Sequence, residues 1–112
     1  MTIFEKIAAG EIPAKILHEA DDFIAFHDVN PKAPVHILII PRKVIPRIGE
    51  AKPEDALLLG HMLAAAGEIA KKAGVAESGY RLVINNGFDA GETVPHLHIH
   101  LLGGRALGWP PG

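Results

Sequence analysis

A chain of 112 residues with a formal charge of −2 has room for one domain spanning 1–112 and lacks the basic excess that nucleic acid or an anionic membrane surface attracts. Without cysteine there is no disulfide, thiolate metal site or cysteine nucleophile; without a basic-then-apolar opening or an apolar run near 20 residues, a soluble cytoplasmic protein is expected. A hydrophobic share of 48% and a mean hydropathy of +0.20 exceed what so small a core can hide, and self-association is one way to cover the surplus.

Thr2-Ile3-Phe4-Glu5 reads as a capping box that opens a short helix closed by Gly10. Ile16 to Ala20 and Phe23 to Asp28 read as strands joined at Asp21-Asp22. Asn30-Pro31 and Ala33-Pro34 mark a loop, and the β-branched run Val35 to Ile40 is a strand stopped by Pro41. From Ala51 to Gly74 the spacing predicts the one long helix. Pro53 suits its first turn, Glu54 and Asp55 suit the positive end, and Lys71 and Lys72 the other. Leu59, Met62, Leu63, Ala66, Ile69, Ala70 and Ala73 form the apolar stripe. Tyr80 to Asn85 is a further strand, followed by a polar connection from Asn86 to Thr93. A strand over 96–102 completes the set, with a Gly- and Pro-rich tail over 103–112. Five strands, one long helix and one short one predict an α+β domain with a mainly antiparallel sheet. No GxxxxGK or GxGxxG run occurs, so no P-loop or Rossmann site is expected.

The last strand carries the chemistry. In His96-Leu97-His98-Ile99-His100-Leu101-Leu102, period-two alternation puts three imidazoles on one face and Leu97, Ile99 and Leu101 on the other. Imidazole is the side chain best suited to nucleophilic and acid–base work near neutral pH, and three in register solve no purely structural problem well. Two other readings compete. A metal site is limited by geometry: a rise of about 3.3 Å per residue parts the His96 and His100 α-carbons by roughly 13 Å, whereas each Zn–N bond is about 2.0 Å. Two of the three with His36 could still share an ion. The other reading is a structural network in which the histidines only satisfy one another. His61 lies off the helix stripe, and His18 and His27 read as sheet-face residues with no assigned role.

The alternating histidines resemble the histidine-triad signature. Ile3-Phe4, Glu11-Ile12-Pro13-Ala14, Ala25-Phe26-His27-Asp28, Ala33-Pro34-Val35-His36, Gly79-Tyr80-Arg81, Asn85, Leu101-Leu102-Gly103-Gly104-Arg105 and Trp109-Pro110-Pro111-Gly112 extend the match through nearly the whole chain. Together they resemble the Hint branch, the histidine-triad nucleotide-binding proteins. The resemblance implies a homodimer whose two five-stranded sheets join into one of ten strands, with the tail 103–112 at the interface or the rim of the site. It implies hydrolysis of purine nucleoside 5′-phosphoramidates and related AMP conjugates, with no cofactor and no metal. His98 would be the nucleophile and His100 a phosphate contact, with His96 and His36 supporting them. Asn85, Gly91, Glu92, Thr93 and Val94 would meet the phosphate, through side chains and backbone N–H groups. Asp28 would bind the ribose hydroxyls, and Phe4, Ile12, Phe26, Val29 and Leu38 the base. Apart from the resemblance, Asp28 reads as a turn residue before Asn30-Pro31 and the apolar five as core.

Three positions depart from commoner patterns of the branch. Thr93 stands where serine is frequent, and Pro95 precedes the triad where an aromatic is usual. Glu92 replaces a frequent glutamine, adding negative charge close to a phosphate. Dinucleoside polyphosphate hydrolysis within the same superfamily, a nucleotide-binding interaction module and a metalloprotein are the rival functions; the Trp109-Pro110-Pro111-Gly112 ending argues against the first.

Overall fold

The computed structural model describes all 112 residues. In chain order the elements are α1 (Ile3–Ala8), β1 (Ile16–Glu19), β2 (Phe23–His27), β3 (Val35–Pro41), α2 (Ala56–Ala73), β4 (Tyr80–Val83) and β5 (Ile99–Gly103). The strands form a single sheet in the order β1-β2-β3-β5-β4, antiparallel throughout, as the α+β reading expects.

Strand alternation divides the interior between the two faces of the sheet. Phe23 and Ala25 of β2, Ile37 and Ile39 of β3, and Ile99 and Leu101 of β5 pack against Met62, Ala66, Ile69 and Ala70 of α2. The intervening residues Ile24, Phe26, Leu38 and Ile40 turn to the other face and meet Phe4 and Ile7 of α1. Both faces are covered, so β2 and β3 are apolar at nearly every position instead of alternating with polar residues. The histidines belong to the α1 face, since His100 stands opposite Leu38 in the β3–β5 ladder.

Local chemistry sets the helix ends. Thr2 Oγ1 accepts from the Glu5 amide and Glu5 Oε1 accepts from the Thr2 amide, each at 3.1 Å, the reciprocal box expected for α1. Helix α2 begins later than Ala51, because Pro53–Asp55 forms a tighter 3-10 turn. The buried Asp55 carboxylate accepts there from the Lys52 amide and pairs with Lys43. Gly74 closes α2 with φ of +79°, a conformation that a side chain would strain. The buried stripe is also narrower than expected. Leu63 is exposed and Leu59 lies outside the core, while Leu58 and Ala65 take up the flanking contacts.

Two strands are shorter than their apolar patterns. β4 ends at Val83, leaving Ile84 and Asn85 beyond the ladder. β5 begins at Ile99, so His96, Leu97 and His98 form an extended lead-in instead of a paired strand. The register would set Leu97 opposite Pro41, which has no N–H to offer. The Leu97 amide donates to the Ile45 carbonyl at 2.7 Å instead. After β5 the chain turns at Gly104, where φ is +87° and an added Cβ would lie 2.8 Å from Pro34 Cβ.

Met62 is fully buried at the centre of the α2 contact. Met62→Ala is expected to cost about 2–5 kcal/mol of stability in urea unfolding. A loss below about 1 kcal/mol would contradict this account of the core.

Candidate active site

The pairing of β3 with β5 creates the site. Leu38 opposes His100, so His36, two residues earlier on the same face, becomes the diagonal neighbour of His100. His36 Nε2 lies 2.9 Å from His100 Nδ1. The Lys32 amide donates to His36 Nδ1 at 3.0 Å, so that nitrogen carries no proton. His36 therefore bears its proton on Nε2 and donates to His100 Nδ1. His100, neutral and accepting at Nδ1, keeps its proton on Nε2. Burial lowers the His36 pKa and, with the neighbouring His98 and His36 rings, pushes that of His100 down to about 4. Both are neutral at physiological pH. Arg105 supports the chain from outside, its guanidinium donating to the Lys32 carbonyl at 3.1 Å.

The other two members of the triad are fixed by carbonyls, which only accept. His96 Nε2 donates to the Pro41 carbonyl at 2.8 Å, and burial holds its pKa below the ordinary value. Its Nδ1 is then the unprotonated nitrogen, and it has no partner. His98 Nδ1 donates to the carbonyl of His96 at 2.7 Å. In the neutral ring that bond places the proton on Nδ1 and the lone pair on Nε2, which has no hydrogen-bond partner in the chain. Phe4 of α1 presses edge-on against the His98 ring at 4.9 Å between centroids, and His100 lies at the same distance on another side. The cap on α1 thus holds an aromatic wall against the ring that offers a nucleophilic nitrogen.

Asp28 stands next to this array. One carboxylate oxygen accepts from the Asn30 amide at 2.8 Å, the turn role read from Asn30-Pro31. The other lies 3.5 Å from His36 Nε2, too long for the main contact of a proton already committed to His100. Candidate ligand atoms of Asp28, His36 and His100 all lie within 4.8 Å of one another. The hydrogen bonds oppose a metal there. To bind an ion through Nε2, His36 needs its proton on Nδ1, where the Lys32 amide already points its own. Asp28 also lines a cleft of about 540 Å³ with Pro13, Ala14, Lys15, His27 and the almost fully exposed Val29.

The other expected residues are placed unevenly. Phe4, Phe26 and Leu38 are buried in the α1-side core, with Ile12 and Val94 packed at its border. Asn85 follows β4, half-buried and without a hydrogen-bonding partner. The Gly91 and Glu92 amides are already committed, to the carbonyls of Phe88 and Gly87. Of the N–H groups expected near a phosphate, those of Thr93 and Val94 remain free of protein acceptors. Glu92 does not stand as an open charge, since both its oxygens face Arg47. Arg47, the Lys32 amide and the Pro41 carbonyl were not apparent in the sequence, because a backbone group or a partner 45 residues distant leaves no local pattern. The remaining histidines are peripheral: His61 pairs with Asp22, and His18 stacks on Phe23 beside Lys72.

The profile of the HIT domain family matches residues 9–107. The chain belongs to the HIT family. An uncharacterized HIT-like protein of Synechocystis sp. PCC 6803 is 56% identical over 111 residues, covering 99% of this chain and 96% of that one. A HIT family hydrolase from Legionella pneumophila is 46% identical with a TM-score of 0.96, each chain covered in full. A HIT family hydrolase from Clostridium thermocellum is 46% identical with a TM-score of 0.92, over 96% of this chain and 93% of that one. No helix is long and apolar enough to cross a membrane.

The depressed histidines give stability a defined pH dependence. Between pH 6.5 and about 4 the unfolded chain holds a proton on His100 that the folded chain rejects. Folded-state stability is therefore undiminished above 6.5 and falls as pH drops through that window. His36 and His96 act in the same direction. In urea titrations the midpoint is expected to fall from about pH 7.5 to about pH 4.5, and to fall less in His100→Asn. An equal drop in the variant would contradict the assignment.

Proposed function

We propose that this HIT-family chain is a hydrolase of purine nucleoside 5′-phosphoramidates and related AMP conjugates, of the Hint type, working through a nucleotidyl–histidine intermediate. The observation that carries the reading is the His98 Nδ1–His96 carbonyl bond, which leaves the lone pair on His98 Nε2 available for attack. The HIT family hydrolases of closely similar structure support hydrolysis as the reaction class. The chain's Trp109-Pro110-Pro111-Gly112 ending supports the branch.

In the proposed reaction His98 Nε2 attacks phosphorus, and the P–N bond breaks as the amine takes a proton from solvent. Water then attacks the nucleotidyl–imidazole and gives up a proton to solvent, returning the lone pair to Nε2 and releasing the nucleoside monophosphate. The neutral His100, with its proton on Nε2, suits a donor to a non-bridging phosphoryl oxygen. Asn85, the Thr93 hydroxyl and the Thr93 and Val94 amides are the other proposed donors, matched to charge that grows in the transition state. Asp28 beside the open cleft is the proposed acceptor for ribose hydroxyls. Phe4, Ile12, Phe26, Val29 and Leu38 are the proposed border of the base site.

The working unit is proposed to be a homodimer in the cytoplasm, its sheets joined edge to edge. β4 is an edge strand, and exposed Leu57 and Leu63 of α2 supply the apolar surface such a contact needs. A Cβ at Gly67 would lie 4.0 Å from the Tyr80 hydroxyl, so α2 and β4 adjoin.

The test is steady-state hydrolysis of a fluorogenic adenosine 5′-phosphoramidate by chelator-treated protein, with His98→Ala alongside. Turnover by the wild type is expected, with a fall of at least about 10³-fold in the variant and AMP affinity kept within severalfold. Turnover by both proteins would remove the nucleophile assignment. No turnover by either, with AMP still bound, would favour a binding module.

A further inference from the structure

Glu92 occupies the stretch proposed to meet the substrate phosphate, where a carboxylate has the wrong charge. Its side chain is only 12% exposed, and both oxygens are held. Oε1 accepts from Arg47 Nε at 2.9 Å and Oε2 from Arg47 Nη2 at 3.0 Å, a two-pronged clasp that only a guanidinium provides. Oε1 also accepts from the Gly87 amide at 2.9 Å, and Arg47 Nη1 turns to Glu50. Arg47, with help from the Gly87 amide, keeps the Glu92 carboxyl below the usual carboxylate range, so it is charged at neutral pH.

The clasp is one of several ties between the same two stretches. The Gly49 amide donates to Asn86 Oδ1 at 2.6 Å, and a Cβ at Gly49 would lie 2.8 Å from that oxygen. The Leu97 amide donates to Ile45 at 2.7 Å. The segment after β3 is thus bound along the connection that leads into the triad, and Arg47 brings the one positive charge that reaches Glu92. Without it a largely buried carboxylate would stand uncompensated in the stretch proposed to meet the phosphate, and would repel it.

We propose that Arg47 is a positioning residue of the hydrolytic site, clasping Glu92 so that its carboxylate charge is cancelled and turned away from the substrate phosphate. This rests on the phosphoramidate hydrolase reading. It has a signature that a purely structural ion pair lacks: the two single substitutions should act in opposite directions. Arg47→Ala bares the carboxylate, whereas Glu92→Gln removes it and keeps a shape that can still accept from Gly87.

The experiment measures kcat and KM for adenosine 5′-phosphoramidate, and AMP affinity, in wild type, Arg47→Ala, Glu92→Gln and the double variant. Arg47→Ala is expected to raise KM about tenfold with a smaller fall in kcat. Glu92→Gln is expected to lower KM, and the double variant to recover at least about threefold of the Arg47→Ala loss. Glu92→Gln as damaging as Arg47→Ala, a double variant no better, or an unaffected Arg47→Ala would each overturn the proposal. A wild type that turns nothing over would count against the hydrolase reading. The same ordering in AMP affinity would then still uphold the clasp, and equal or unmeasurable affinities would overturn it.

Discussion

The antiparallel register of β3 against β5 is the constraint on which the site depends. Setting Leu38 opposite His100 makes His36 the diagonal neighbour of His100 and sends Ile37, Ile39, Ile99 and Leu101 into the core against α2. A slip of β5 by one residue would exchange its two faces, turning His98 and His100 toward α2 and Ile99 and Leu101 toward the cleft. The hydrophobic effect that stabilises the core therefore also selects the one pairing in which the histidines meet. Pro41 ends the ladder by lacking an N–H, and this frees His96 and His98 from strand pairing while their ring nitrogens find backbone carbonyls.

Those backbone groups do the electronic work. One amide, from Lys32, and two carbonyls, from Pro41 and His96, settle which nitrogen of His36, His96 and His98 carries the proton. The proton on His36 then settles His100. Burial keeps His36, His96 and His100 neutral, so the array presents a lone pair at His98 and an N–H at His100 without a metal to arrange them. The Lys32 amide bond to His36 Nδ1, which sets the proton that reaches His100, is also the bond that disfavours an ion between Asp28, His36 and His100.

Much of this was legible in the sequence where the physics is local. Period-two histidines point to the candidate site, and Thr2 with Glu5 marks the cap on α1, because each signal lies within a few residues. Strand rise alone keeps His96 and His100 too far apart to share an ion. What escaped was non-local or belonged to the backbone. Apolar periodicity extended β4 to Asn85 and the histidine strand to His96, since a ladder's end depends on what the neighbouring strand offers. Leu59 and Leu63 fit the helical stripe, yet the sheet presents a narrower surface than the stripe supposes. Glu92 reads from the sequence as an added negative charge because its partner, Arg47, lies 45 residues earlier. The Gly91 and Glu92 amides, expected as phosphate donors, are bonded within their own loop, which no local sequence pattern signals.

The central claim is that the His96 carbonyl holds His98 as the Nδ1–H tautomer, with Nε2 unprotonated and free to attack. Nitrogen-15 NMR of the imidazole side chains in the resting protein tests it without any substrate, since the two ring nitrogens shift far apart when only one is protonated. The account predicts a pyrrole-like Nδ1 and a pyridine-like Nε2 for His98, and the reverse for His36. A His98 with its proton on Nε2 would contradict it.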